Sequence, residues 1–430
     1  MPQDVAVPTE SYKRKKFLFL FRLIASEHRN VYTCFQGVFM EKKIKQLAQQ
    51  YLDEAIIVRH KIHQFPELGF EEIETANTIK AFLDKHHIPY KDKIAKTGIL
   101  ATIKGHHPGK TVLLRADMDA LALDENPNNP IVSTVAGKMH ACGHDGHTAG
   151  LCLAGAILNQ IKKDIHGTVL LMFQPAEETL GGAYPMILEG VLQNVDGAFG
   201  CHLMGSVPEN HAKYLAGPMM AAPDEFSIKV NGLGGHGAMP EKAIDPIVIA
   251  SHIVIALQSI VSRIIDPFDP VVLTIGKMES GTAFNIIPNT AKIVGTVRTL
   301  NEWTRNQVAN KMERIATSIA EGFGATIEFD YEHKYPILIN DHAMVEIAKK
   351  AFSKIFPPKN VTELERPSMG GEDFAYIAQQ VPSAFVFVGI AKEPEYPILH
   401  HHPSFAWDDQ NIYPLGAGLA QAAVDFLSEN

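Results

Sequence analysis

Apolar residues at Ile44, Leu47, Leu52, Ile56 and Ile57 recur at helical spacing, which predicts an amphipathic helix from Lys42 to about His60. The Pro/Gly-punctuated stretch Phe65-Pro-Glu-Leu-Gly-Phe70 separates it from a second helix through Ala76, Ile79, Phe82 and Leu83. Two short apolar runs, 99–103 and 111–116, flank a turn at 105–109 and read as strands. The second is apolar on both faces, as a parallel strand covered by helices should be. Helix 148–162, strand 167–173, helix 183–189 and strand 197–202 continue the alternation. That order implies an α/β domain with a mostly parallel, helix-covered sheet.

The pattern changes near Pro223. Strand 225–230, helix 246–265, strands 270–277 and 290–299, helix 304–322 and strand 325–331 follow one another. This strand-helix-strand-strand-helix-strand order is the split βαβ signature of a ferredoxin-like α+β unit. After Pro336 the α/β pattern resumes with helices 342–354 and 374–379, strand 384–388 and a closing helix 416–427. The expected organisation is therefore a catalytic domain in two parts, 40–222 and 336–430, with residues 223–335 inserted as a lid and dimerisation domain. Residues 1–39 stand apart. Lys13-Arg-Lys-Lys16 precedes Phe17-Leu-Phe-Leu-Phe21, but Arg22 interrupts the apolar run and no small-residue cleavage site follows. We read these residues as a disordered extension ahead of a natural start at Met40.

Composition narrows the classes. In 430 residues, 46% hydrophobic and 20% charged content supplies core enough for two or three domains. A net charge of −9 argues against nucleic acid or an anionic membrane as partner. Four cysteines are too few for a disulfide framework in a chain of this length, so a reducing, cytoplasmic setting is expected.

The densest chemistry is His140-Ala-Cys142-Gly-His144-Asp145-Gly-His147: three imidazoles, a thiol and a carboxylate in eight residues. If the run is extended, His140, Cys142 and His144 share one face. Burying such a cluster is costly unless something pairs with it, and a metal ion is the usual partner. The bland alternative is a polar loop with a buried cysteine. Further polar groups stand where predicted strands end, the edge at which open α/β sheets bind ligands. These are Arg115-Ala-Asp117-Met-Asp119, Gln174-Pro-Ala-Glu177-Glu178 and His202, with Leu399-His400-His401-His402-Pro403 near the end of the chain. Adjacent acids can divide labour, one binding metal while its neighbour takes a proton from water.

These segments resemble the aminoacylase/carboxypeptidase superfamily of two-metal hydrolases. The likeness extends to Arg59-His-Lys-Ile-His63, Pro66-Glu-Leu-Gly69, Gly234-Gly-His236-Gly-Ala-Met-Pro240, Asn285-Ile-Ile-Pro288 and Gly370-Gly-Glu-Asp-Phe374. It is closest to the branch of hippurate hydrolases, N-acyl-amino-acid amidohydrolases and plant auxin-conjugate hydrolases. The resemblance implies two divalent ions bridged by Cys142, with His144, Glu178, His202 and a terminal histidine as further ligands. Zn²⁺ and Mn²⁺ are the expected ions, and Co²⁺ or Ni²⁺ also suits thiolate plus imidazole. Counting back from Pro403 selects His401 as the last ligand, and counting forward from Leu399 selects His400; we take His401. Arg115 stands where related carboxypeptidases carry a ligand histidine, so it is not a ligand, and Asp117 would orient the site.

By the same resemblance Glu177 is the general base acting on a water or hydroxide shared by the ions. His236 would stabilise the oxyanion, often across a homodimer, while Asn285 and Arg298 would hold the substrate carboxylate. The implied activity is hydrolysis of small N-acylated amino acids. The rivals are a dipeptidase or carboxypeptidase on the same scaffold, and a non-catalytic metal-binding protein.

Overall fold

The computed structural model describes residues 38–179, 181–392 and 399–428. Residues 1–37, and with them the reading of an extension ahead of Met40, lie outside the described residues. The first helix already covers 38–64.

The larger sheet has eight strands. Their spatial order is Tyr90–Ile94, Gly98–Lys104, His166–Gln174, His107–Asp117, Gly197–Pro208, Ser383–Ala391, Ala212–Tyr214 and Val361–Glu363. The central four, from His166–Gln174 to Ser383–Ala391, are mutually parallel. On the flanks Gly98–Lys104 runs antiparallel to His166–Gln174, and Ala212–Tyr214 antiparallel to Ser383–Ala391. The expected parallel sheet is thus the centre of a mixed one. Every residue of Ser383–Ala391 is buried, as a central strand covered on both faces requires. One face packs against the helices His144–Gln160, His342–Ile355 and Ile412–Ser428. The first and last of these approach closely at glycines: a Cβ on Gly150 would stand 2.5 Å from Leu415 Cδ2. The opposite face is covered by shorter helices, with Met186, Phe374 and Ile377 in its core.

A second, four-stranded sheet has the order Val271–Ser280, Thr290–Thr299, Ala222–Asn231, Thr326–Glu332, every neighbour antiparallel. Helices Pro246–Ser259 and Glu302–Gly322 pack on it, reproducing the split βαβ order read from the sequence. Both start where capping chemistry dictates. The Asp245 side chain accepts from Ile247 N–H ahead of Pro246, and Asn301 accepts from Trp303 and Thr304. Phe226, Ile228, Ile253, Leu257, Ile293, Val308 and Met312 form a separate core beneath them.

Where the chain enters and leaves this unit, one buried carboxylate gathers both crossings. Asp224 accepts from Arg305 Nε at 2.8 Å, from the Tyr331 hydroxyl at 3.0 Å and from Lys334 N–H at 3.2 Å. Arg305 Nη2 also donates to Tyr335 O at 3.1 Å. On the outgoing side a Cβ on Gly371 would stand 2.5 Å from Pro223 Cγ, so the Gly370-Gly371 loop lies tightly against that crossing.

Candidate metal centre

The carboxyl ends of the central strands converge on one place, with one correction to the sequence reading. The His140–His147 run is not an extended strand. Gly143 takes a left-handed φ of 94° and the helix His144–Gln160 begins at once, four residues earlier than expected. Cys142 and His144 are therefore aimed by a glycine turn and a first helical turn, not by strand periodicity.

Hydrogen bonds fix the imidazole tautomers, and the tautomers separate candidate ligands from supports. His144 Nδ1 donates to Asp119 Oδ1 at 3.2 Å, and its buried Nε2 has no hydrogen-bond partner. His202 Nδ1 donates to Leu203 O at 2.7 Å, which leaves Nε2 facing Cys142 Sγ at 3.3 Å. An imidazole held at Nδ1 with a free Nε2 is the arrangement of a metal-ligating histidine. His147 and His400 differ. Their Nε2 atoms accept backbone N–H groups, from Leu203 and Gly205, both at 2.9 Å. The His400 Nδ1–H then points to Cys142 Sγ at 3.9 Å. His401 Nε2 lies 3.1 Å from Glu178 Oε1, yet that buried oxygen makes no aligned hydrogen bond.

Of the five donor triads among the described residues, two, Cys142–His144–His202 and Cys142–Glu178–His401, share the thiol. Five side chains around two sites require a shared donor, and sulfur occupies that position. The electrostatics agree. Against burial, which alone would lower it, Asp117 and Asp119 raise the His144 imidazole to about 10. Burial and the carboxylates of Glu178, Glu177 and Asp117 push the Cys142 thiol well up. A pocket that asks for positive charge beside a thiol and an unpartnered Nε2 fits divalent cations.

Glu177 faces the same cluster from the other side. Burial, then Glu372, Glu178 and Asp373, raise its carboxyl well above the ordinary range. Behind it Arg115 is fully buried and donates to Gln174, Asp117 and Asp373 at 2.7, 2.7 and 2.6 Å, with Glu372 at 2.9 Å. The turn that carries Glu177 and Glu178 is held at nearly every backbone group. Asp119 accepts both of their N–H groups at 3.0 Å. Ala176 sits at φ 54° and donates its N–H to Glu72 Oε1 at 2.9 Å. The Tyr335 hydroxyl donates to Glu177 O.

Asp117 thus supports His147 (2.6 Å) and Arg115, whereas Asp119 orients His144 and the acid pair. The sequence reading gives the orienting role to Asp117, whereas the structure gives the hold on His144 Nδ1 to Asp119. Glu72 and Tyr335 were missed, because Glu71-Glu72 looks like a solvated surface pair and Tyr335 like a loop aromatic.

The structure does not bring every expected residue together. His236 is exposed on the two-stranded ribbon Gly235–His236/Ile286–Ile287, with exposed Asn285 beside it. Arg298 is half-buried and donates to its own strand, at Thr296 Oγ1 and Val297 O. Among the described residues no hydrogen bond or ion pair joins these three to the donor cluster.

Known proteins share this design. The family model for peptidase family M20/M25/M40 matches residues 113–424. Hippurate hydrolase of Campylobacter jejuni is 39% identical, over 86% of this chain and 96% of its own. Thermostable carboxypeptidase 1 of Saccharolobus solfataricus is 41% identical, over 90% and 99%. Among solved structures, a dinuclear metal-binding peptidase of the M20 family from Bacillus subtilis superposes with a TM-score of 0.77 at 35% identity, covering 89% of this chain and all of that one.

Glu72 yields a test of the turn. Its carboxyl is fully buried, and burial raises it to about 7 from an ordinary 4.5, against the opposing hydrogen bonds of Thr97 and Ala176. The folded state holds that proton more tightly than the unfolded chain, so this term costs almost nothing below pH 4.5, grows as pH rises from 4.5 to about 7 and is complete above it. The stability lost reaches about 3 kcal/mol. Glu72→Gln keeps a carbonyl acceptor for Ala176 and removes the ionisation. Urea midpoints at pH 5 and pH 8 should therefore differ less in Glu72→Gln than in the wild type, and an unchanged difference would refute this account of Glu72.

Proposed function

From a chain that belongs to peptidase family M20/M25/M40, and is a metal-dependent hydrolase of amide bonds, we propose a specific activity: cleavage of N-acyl amino acids to a carboxylate and a free amino acid. The observation that carries the proposal is the pair of donor triads sharing Cys142, with the buried carboxyl of Glu177 beside them. Cys142, His144, Glu178, His202 and His401 would hold two divalent ions, Zn²⁺ or Mn²⁺ by the softness of the donors. When bound, the ions supply Lewis-acid polarisation of the amide carbonyl and make water more acidic. Glu177 takes the proton from the attacking water and returns it to the departing amine nitrogen. Asp119 and Glu72 hold the Glu177 backbone in place, and Arg115 keeps the surrounding acids from repelling the turn apart.

His236 would stabilise the tetrahedral oxyanion, with Asn285 and Arg298 holding the substrate carboxylate. That no hydrogen bond or ion pair joins them to the cluster among the described residues supports a site completed by closure of the 223–335 unit or by a second copy. That unit is suited to self-association. The outer face of helix Pro246–Ser259 leaves Ile255 71% exposed, Phe268 is 93% exposed, and the strand Val271–Ser280 forms an open sheet edge. A homodimer would cover this face by an isologous pairing of helices and edges. A reducing, cytoplasmic location agrees with a free thiol in the site. The carboxypeptidase reading competes with it, since a relative of that name is 41% identical, against 39% for the hippurate hydrolase.

Turnover of hippurate and N-acetyl amino acids should exceed that of dipeptides and peptides by at least tenfold in kcat/KM; the reverse ranking would favour the carboxypeptidase reading. Glu177→Gln should keep both metals by elemental analysis while losing on the order of 10²–10⁴-fold in kcat. His401→Ala should lower the metal content per chain, whereas His400→Ala should keep it; the opposite result would make His400 the ligand. Light scattering should give twice the chain mass, and His236→Ala should lower kcat with metal content intact.

A further inference from the structure

We propose that Tyr335 is a positioning residue for the hydrolysis: its hydroxyl ties the return crossing of the four-stranded unit to the backbone of Glu177, so that the base is aligned through the same joint that carries the lid. This rests on the reading of Glu177 as the base.

The argument starts from the turn itself. Its amide hydrogens are taken by side chains of the larger sheet's own domain, Glu72 and Asp119. The carbonyl of Glu177 accepts instead from a residue at the far end of the inserted unit, 158 positions along the chain. Among the described residues, Tyr335 is the side chain of the return crossing that hydrogen-bonds this turn. A loosely held carbonyl would let the peptide plane rotate and swing the Glu177 side chain with it, and a displacement of about 1 Å at a reacting group is enough to cost much of the rate.

Tyr335 is itself held in place by the inserted unit. Its carbonyl receives Arg305 Nη2, and Arg305 is gripped by buried Asp224, which also takes the Lys334 N–H and the Tyr331 hydroxyl. On its other side the ring packs edge-on against Tyr376, at 6.1 Å between centroids, and a Cβ on Gly181 would stand 2.8 Å from Cε1. A rigid arm thus runs from the hub of the four-stranded unit, through one hydroxyl, to the main chain beside the acid pair. Any swing of that unit moves the arm, and the arm ends on the base.

The test compares Tyr335→Phe, Glu177→Gln and the double variant, on enzyme loaded with metal. Tyr335→Phe should lower kcat about tenfold, the cost of one lost hydrogen bond at an aligned group. KM should stay within about twofold, with metal content and Tm preserved. Added to Glu177→Gln, the same change should cause no further loss, because there is no base left to align. An additive loss in the double variant, a loss shared by KM and metal content, or a wild-type kcat for Tyr335→Phe each overturns the proposal. Near-normal activity of Glu177→Gln alone would instead sink the assignment of the base. Tyr376→Phe keeps the ring contact, does not touch Glu177 and loses only the hydroxyl that donates to Lys334 O at 3.4 Å, so it should retain wild-type kcat; a loss equal to that of Tyr335→Phe would assign the effect to general anchoring of the crossing and overturn the proposal.

Discussion

Arg115 has no access to solvent, and its guanidinium is shared among Asp117, Glu372, Asp373 and the amide of Gln174. Four carboxyls, counting Glu177, crowd around it, and without a cation among them they could not be buried together. The fork geometry of arginine matters here, because a compact ammonium could not reach groups at 117, 174 and 372–373 at once. Residues 115, 174 and 372–373 come from distant parts of the chain, so this one cation joins both halves of the larger sheet's domain. Glu177 stands beside the same group, where burial and then the carboxylates of Glu372, Glu178 and Asp373 raise its proton affinity.

Around that cation the site separates two tasks that look alike in sequence. Asp117 ends the strand His107–Asp117 and Asp119 lies two residues beyond it, yet one steadies an imidazole that is occupied at both nitrogens and the other an imidazole with a free Nε2. The same rule distinguishes His400 from His401. A backbone N–H from Gly205, 195 residues away, occupies the Nε2 of His400 and leaves His401 to face Glu178.

That distinction marks where reading the sequence stops. The long apolar strands, the helices between them and the split βαβ order were legible because each carries a run of several residues with one clear period. Tyr90–Ile94 was not: Tyr-Lys-Asp-Lys-Ile is a polar edge strand, and Ala212–Tyr214 and Val361–Glu363 are too short to carry any period. In the site, Cys142 and His144 stood out by the density of metal-ligand types in one short run, and Glu178 and His202 by their place where predicted strands end, while the resemblance supplied their roles as ligands. The contributions of Glu72 and Tyr335 were invisible, since each acts on a backbone group, and backbone groups leave no trace in residue identity.

The place of Ser383–Ala391 in the sheet bears on how the molecule is made. This strand lies between Gly197–Pro208 and Ala212–Tyr214, so those two, although only a short connection apart in the chain, are held on either side of a gap that the C-terminal region fills. During synthesis the N-terminal half must wait with that slot open while the whole four-stranded unit emerges and folds on its own core. His401 follows the missing strand by ten residues beyond its end at Ala391. The strand that closes the sheet and the last of the candidate donors therefore lie together in the final segment of the chain to be made.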